Sequence, residues 1–282
     1  MKIASFQINE RLTYGVVNGD TVTDAASVLG AQYPTLRDLL ASGEARPLLA
    51  GLADVPVFRL NDVKLLPVIP NPDKVICVGL NYQKHIAETG RETPKYPTLF
   101  TRFPSAQVGH NQPLICPSIT ESFDFEGELA VVIGKSGREI TPQKAYEHVA
   151  GYSVFNDGSV RDWQKHSLQF TAGKNFVASG SFGPWLVTRD EIPDVNALEL
   201  ETRLNGEVVQ KEGINDLLFK IPELIAYIST FTEILPGDVI ATGTPGGCGA
   251  FRTPPIWLRP GDTVEVEIPM IGLLRNTILS DK

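Results

Sequence analysis

The chain alternates short apolar runs with turn signals along most of its length. KIASFQI and LTYGVVNGDTVTDA alternate apolar and polar positions around Asn18-Gly19-Asp20, a pattern that predicts a hairpin. PTLRDLLASGEARPLLAGL carries helical periodicity, with Thr35 placed as an N-cap. Three prolines in 67-PVIPNPDK-74 break the pattern and divide the chain into a small unit, residues 1–68, and a larger one, residues 69–282. Beyond the break, KVICVGLN reads as a strand and Tyr82 to Thr89 as one or two helical turns. FEGELAVVIG reads as a strand, and ITPQKAYEHVAGYSVFND as a helix from Pro142 to His148 followed by a strand. FGPWLVT, LELETRLNGEVVQKEG with a turn at Asn205-Gly206, DVIATG, DTVEVEI and LLRNTI are further strands. IPELIAYISTFTEI is an amphipathic helix opening at Pro222. Strands outnumber helices about three to one, which predicts a strand-rich α+β fold and not a doubly wound sandwich.

Composition narrows the function. The 282 residues are 42% hydrophobic and 21% charged, as in an ordinary globular chain. A net charge of −8 and the lack of any Lys/Arg cluster argue against a nucleic-acid partner. No apolar run reaches the roughly 20 residues of a membrane helix. The polar N-terminus argues against a signal peptide, and Cys77, Cys116 and Cys248 form no CxxC pair. The expected setting is the cytoplasm, with reduced thiols.

The candidate chemistry starts at 122-SFDFEGELAVVIGKSG-137. On a strand, Asp124, Glu126 and Glu128 would share one face. Three adjacent carboxylates repel unless they are solvated, protonated or bridged by a cation. The apolar run that follows carries the strand into a core and favours the cation. All-oxygen ligands select Mg²⁺ or Mn²⁺, with Ca²⁺ as a third choice, over zinc. Asp157, at the end of YSVFND, is a further ligand candidate, although Asn156-Asp157-Gly158 is also a plain turn signal. Arg161 follows four residues on and suits carboxylates or an anionic substrate. His85 and Glu88 stand at i and i+3 of a helical turn. Such a pair is either an ordinary surface contact or a general base whose imidazole is oriented by the carboxylate. Lys174 lies between Gly173 and Asn175-Phe176, either as a semi-buried cation or exposed. 242-TGTPGGCG-249 lacks the Lys-Ser/Thr of a nucleotide loop but could cradle a carboxylate on backbone N–H groups.

GLNYQKHIAE, FDFEGELAVVIG, AGYSVFNDGSVRDWQ, GKNF, GPWLVT, GDVIATGTPGGCG and LRPGDTVEVEI, in that order over roughly residues 72 to 276, resemble the fumarylacetoacetate hydrolase family. The resemblance implies a mixed β-roll or sandwich with a small α/β N-terminal domain, usually homodimeric. It implies one divalent cation on Glu126, Glu128 and Asp157, with Asp124 behind them. His85 and Glu88 match a water-activating dyad on a short lid. Lys174, Gln164 and Arg161 match groups that neutralise substrate oxygens, Thr244 a carboxylate-binding residue, and Tyr82 a residue of the pocket wall. Departures are DGSVRDWQ after the metal Asp, GKNFVASGSFGP around the lysine, and Arg102 where many relatives carry Lys. The reaction implied is metal-dependent hydrolysis of an acylpyruvate, a 2,4-diketo acid, to pyruvate and a carboxylic acid. The alternative is decarboxylation of an oxaloacetate-type acid, or isomerisation or tautomerisation of a hydroxymuconate-type acid, through the same enolate.

Overall fold

The computed structural model describes residues 1–281. Its main feature is a 12-stranded sheet. At the centre of this sheet Gly127–Ile133 pairs antiparallel with Val149–Asn156 on one side and Val239–Ala241 on the other. Every residue of Gly127–Ile133 is buried, as expected of a strand covered on both faces. Val75–Gly79 continues the sheet in parallel with Val239–Ala241. A five-stranded sheet packs across it, built on the hairpin Glu199–Leu204/Glu207–Gly213 and on Thr263–Ile268 and Gly272–Ser280. Asn205 and Gly206 both have positive φ, the geometry the Asn-Gly pair predicts for a tight hairpin.

The N-terminal hairpin forms as expected from Lys2–Ile8 and Arg11–Asn18. It joins the main sheet, because Lys2 and Ile3 pair with Val187 and Leu186 of Gly180–Thr188. The stretch expected as one helix after Thr35 is two, Leu36–Ala41 and Ala45–Ala50. Thr35 and Asp38 form a reciprocal capping box at the first. Pro142–His148 winds as 3₁₀ helix. The helix Ile221–Phe231 buries Ile221, Leu224, Ile225 and Ile228 at helical spacing.

One sequence expectation fails in an instructive way. FDFEGELAVVIG is not one strand: Phe123–Asp124 pairs with Ser159–Val160 in a separate two-stranded ladder, and the long strand starts only at Gly127. The simple i, i+2, i+4 face therefore does not exist. At Gly127, the first residue of the long strand, a Cβ would lie 2.1 Å from Thr202 Oγ1 and 2.9 Å from Val266 Cγ1 of the second sheet. The two sheets approach so closely here that only glycine fits.

Candidate active site and metal centre

Asp124 shares Arg161 Nη2 with Glu126 but is not part of the converging carboxylate group. Asp124 accepts the N–H groups of Phe125, Gly249 and Ala250 and pairs with Arg161 through Nε at 2.8 Å. It is a fully buried anchor for the 248–251 loop. Burial pushes its carboxyl up, against the opposing pull of Arg161.

Glu126, Glu128 and Asp157 each present an oxygen, all within 4.8 Å of one another, and all three residues are buried. Asp157 N–H donates to Glu126 O at 2.8 Å, which brings the two chain segments together. Glu126 N–H is held by Asn156 Oδ1 and Gly127 N–H by Gln210 Oε1. Thus side-chain bonds from Asn156 and Gln210 hold the backbone of Glu126 and Gly127 at the start of the strand.

Three buried cations surround the carboxylates. Lys174 Nζ lies 2.5 Å from both Glu126 Oε2 and Asp157 Oδ2. Arg161 Nη2 is 2.6 Å from Glu126 Oε1. Arg102 Nη1 is 2.5 Å from Asp157 Oδ1 and also donates to Gly158 O. Burial alone would raise the Glu126 carboxyl, but Arg161 and Lys174 override it and hold it below the usual carboxylate range. Glu128 has no cationic partner among the described residues and accepts only Gly243 N–H, at 2.9 Å. Burial, then Asp157 and Glu126, push its carboxyl well above the usual range. Gly243 can turn its N–H inward because its φ is +109°, which a side chain would not tolerate.

These residues fit a divalent cation. Counting Asp124, Glu126, Glu128 and Asp157 against Arg102, Arg161 and Lys174 leaves one excess negative charge in a buried site, located at Glu128. A divalent ion among the three converging oxygens would turn that excess into a single positive charge. That is the right sign for a bound carboxylate. Oxygen-only ligands point to a hard ion.

The second group is the His85–Glu88 pair. The two are not a surface contact: the His85 side chain is 7% exposed, and its Nδ1 is 2.7 Å from Glu88 Oε1. Glu88 Oε2 accepts Gly247 N–H at 2.8 Å, so the carboxylate is clamped from both sides. Cys248 Sγ stands 3.8 Å from His85 Nδ1. The helix carrying the pair is Gln83–Thr89, ended by Gly90 in the left-handed region.

A cleft of about 850 Å³ joins the two groups, lined by His85, Glu126, Glu128, Asp157, Arg161, Gln164, Lys174 and Thr244. Its outer walls carry Phe100, Phe170, Phe251 and Trp257, with Arg91 and Lys165. Of the candidate residues, Glu88 and Asp124 stand behind this lining, held to His85 and Arg161, and Tyr82 lies apart from it. Tyr82 is fully buried in the core, bridged to Leu217, and borders a separate small cavity. Its position at the N-cap of the His85 helix turns the ring inward. Three other assignments acquire detail. The Thr244 hydroxyl donates to Gly127 O at 3.0 Å and accepts from Gln210, so a substrate carboxylate there would compete for its proton. Gln164 Oε1 accepts from Arg161 Nη1. Lys174 is the counter-ion of two of the proposed metal ligands. Sequence reasoning overlooked Gln210, whose single buried amide ties Gly127 to Thr244 and Pro245. It also passed over Arg102 as the anchor of Asp157. Gln210 stands in no sequence pattern that marks it, and Arg102 was marked only as a departure from the Lys of many relatives.

Comparison with known proteins gives the family and the fold. Residues 74–279 match the family model described as fumarylacetoacetate (FAA) hydrolase, C-terminal. Among curated proteins, the mitochondrial oxaloacetate tautomerase FAHD2A of Homo sapiens is 42% identical over 250 residues, 87% of this chain and 80% of the relative. Among solved structures, fumarylacetoacetate hydrolase from Exiguobacterium antarcticum superposes with a TM-score of 0.85 at 36% identity, covering 99% of both chains. Maleylpyruvate hydrolase from Sphingobium sp. SYK-6, in complex with manganese(II) ion and pyruvate, superposes with a TM-score of 0.83 at 28% identity over 100% of both. No helix among the described residues is long and apolar enough to cross a membrane.

Proposed function

The chain belongs to the fumarylacetoacetate hydrolase family, and from that membership we propose that it interconverts the enol and keto forms of an oxaloacetate-type 2-oxo acid with the help of a divalent cation. The observation that carries the reading is the placement of an oriented imidazole and a triad of metal-type carboxylates on one cleft. Relatives named as oxaloacetate tautomerases, 38–44% identical to this chain, support this choice over the cleavage that the sequence pattern alone favours.

Glu126, Glu128 and Asp157 would hold the cation, Mg²⁺ or Mn²⁺. When bound, such an ion polarises a 2-oxo group and favours its enol form. The remaining chemistry belongs to the chain. Glu88, clamped by Gly247 N–H, accepts a hydrogen bond from His85 Nδ1–H. That fixes the tautomer and leaves Nε2 as the proton acceptor. Nε2 takes the proton from the enol hydroxyl and returns it to the adjacent carbon, so no water is consumed. Arg161 and Lys174 keep the carboxylates ionised and in place. The aromatic walls exclude water from the reacting carbon.

A second reading has its own support. The cleft lies near the upper end of the roughly 300–1,000 Å³ typical of small-molecule sites, and oxaloacetate fills only part of it. A neighbour named as a maleylpyruvate hydrolase shares the fold. In that reading the same dyad deprotonates a water, and an acylpyruvate is cleaved to pyruvate and an acid. The discriminating experiment supplies oxaloacetate enol, acetylpyruvate and fumarylpyruvate to protein in Mg²⁺ or EDTA, following enol absorbance and pyruvate release together. Loss of oxaloacetate enol without pyruvate supports tautomerisation. Metal-dependent pyruvate from the diketo acids moves the assignment to hydrolysis. A homodimer in the cytoplasm completes the proposal, although the human relative is named as mitochondrial. Light scattering and cell fractionation test those two points.

A further inference from the structure

Cys248 is used by neither reaction above, yet it sits against the catalytic pair. Its thiol is fully buried, 3.8 Å from His85 Nδ1, and Gln210 Nε2 lies 3.6 Å away on the other side. His85, Glu88 and Cys248 place one nitrogen, one oxygen and one sulfur within 4.8 Å of one another. This donor set differs in kind from the oxygen-only triad. Nitrogen and thiolate sulfur select zinc and similar borderline-soft ions, whereas carboxylates alone select hard ones.

We propose that His85, Glu88 and Cys248 form a second cation site, specific for Zn²⁺-like ions, whose occupation switches the enzyme off. The geometry is close to what the ion requires. Tetrahedral zinc with ordinary bond lengths separates an imidazole nitrogen from a thiolate sulfur by about 3.6 Å and from a carboxylate oxygen by about 3.4 Å. The nitrogen–sulfur distance is already 3.8 Å. The nitrogen–oxygen distance is 2.7 Å and must open by several tenths of an ångström. Gly247 N–H holds Glu88 by Oε2, which leaves Oε1 as the ligand atom. The fourth position is left for a water.

Binding has a definite proton balance. The Cys248 thiol loses its proton to solvent, and the imidazole proton moves from Nδ1 to Nε2 so that Nδ1 can coordinate. The proton shift disables the proposed mechanism, since Nε2 then carries a proton and Glu88, now a ligand, no longer orients the ring. One proton released per ion means that binding tightens as pH rises.

Co²⁺ serves as the spectroscopic probe. Protein saturated with Mg²⁺ is titrated with Co²⁺ and the near-ultraviolet thiolate-to-cobalt charge-transfer band is recorded. A saturable band is expected at one equivalent beyond the Mg²⁺-filled site, lost in Cys248→Ser and lost again in His85→Ala, with Zn²⁺ displacing it. Turnover of the Mg²⁺ enzyme should fall with the same Zn²⁺ dependence, and Cys248→Ser should raise the inhibiting concentration at least tenfold without changing basal activity. Absence of the band, or a band that persists in folded Cys248→Ser, overturns the proposal. Equal zinc inhibition in wild type and Cys248→Ser overturns it too, because zinc would then act at the carboxylate triad. The inhibition rests on the proposed role of His85 but the cobalt band does not, so the two failures are distinguishable.

Discussion

Replacing Glu128 with Gln should make the metal-free protein more stable and the metal-bound protein harder to form. The argument rests on one asymmetry: Glu126 and Asp157 each have cationic partners, whereas Glu128 has only Gly243 N–H. Its ligand oxygen lies within 4.8 Å of those of the other two carboxylates. An ionised Glu128 would be repelled by about 3.5 kcal/mol per like-charge pair at an effective dielectric constant of about 20, and its raised carboxyl relieves this only by holding a proton that the unfolded chain releases, itself a cost to folding. Attraction to Lys174 offsets part of this. A neutral amide of the same shape keeps the bond from Gly243 and can donate to Asp157 or Glu126. A net gain of about 1–3 kcal/mol is expected in EDTA, which for a chain of this size raises Tm by roughly 2–5 °C. Metal affinity moves the other way. Loss of an outer partner of a metal ligand typically costs about 10–100-fold, so loss of a ligand charge should cost Mn²⁺ affinity at least about 100-fold. Thermal melts in EDTA, paired with Mn²⁺ titration by electron paramagnetic resonance, read both effects. A lower Tm in EDTA together with unchanged Mn²⁺ binding would refute the reasoning.

Three further outcomes follow from particular contacts. His85→Ala should retain Mn²⁺ binding and lose about 10²–10⁴ of turnover, the range of general acid–base catalysis; an undiminished rate removes the dyad from the mechanism. Asp124→Ala strips three backbone N–H groups and half of the Arg161 pairing from the core, and should cost about 3–5 kcal/mol in urea unfolding. His110 is held below its ordinary 6.5 by burial and then by Arg275, and its Nδ1 accepts Arg275 N–H. The unfolded chain therefore binds this proton first, so stability should fall as pH drops below about 6.5, by at most about 1.4 kcal/mol per pH unit. His110→Gln should flatten that slope in urea melts at pH 5 to 7.

The sequence made the central site legible because its chemistry is carried by residue types at short spacings. Glu126, Glu128 and Asp157 converge as expected, and His85 meets Glu88 one helical turn away. The path by which they converge was not legible. Alternation implied one strand face for Asp124, Glu126 and Glu128, but the long strand starts only at Gly127, and Asp124 pairs with Ser159 in a separate ladder and binds the 249–250 backbone. That contact joins positions far apart in the chain, where local pattern carries no information. The same holds for Gln210, which is one polar residue in a hairpin until the second sheet presses it against Gly127. Tyr82 was misplaced because local spacing put it near His85 while the N-cap geometry turned it into the core. The proline boundary at 67–74 was visible, but the sheet that runs across it, through Lys2 and Ile3, depends on pairing with Val187 and Leu186.

The most direct test of the central claim is the decay of oxaloacetate enol absorbance in wild type and His85→Ala, each in Mg²⁺ and in EDTA. The account predicts fast decay only for wild type with Mg²⁺, with no pyruvate formed on that timescale. Equal decay with and without EDTA, or in the His85→Ala protein, would contradict it.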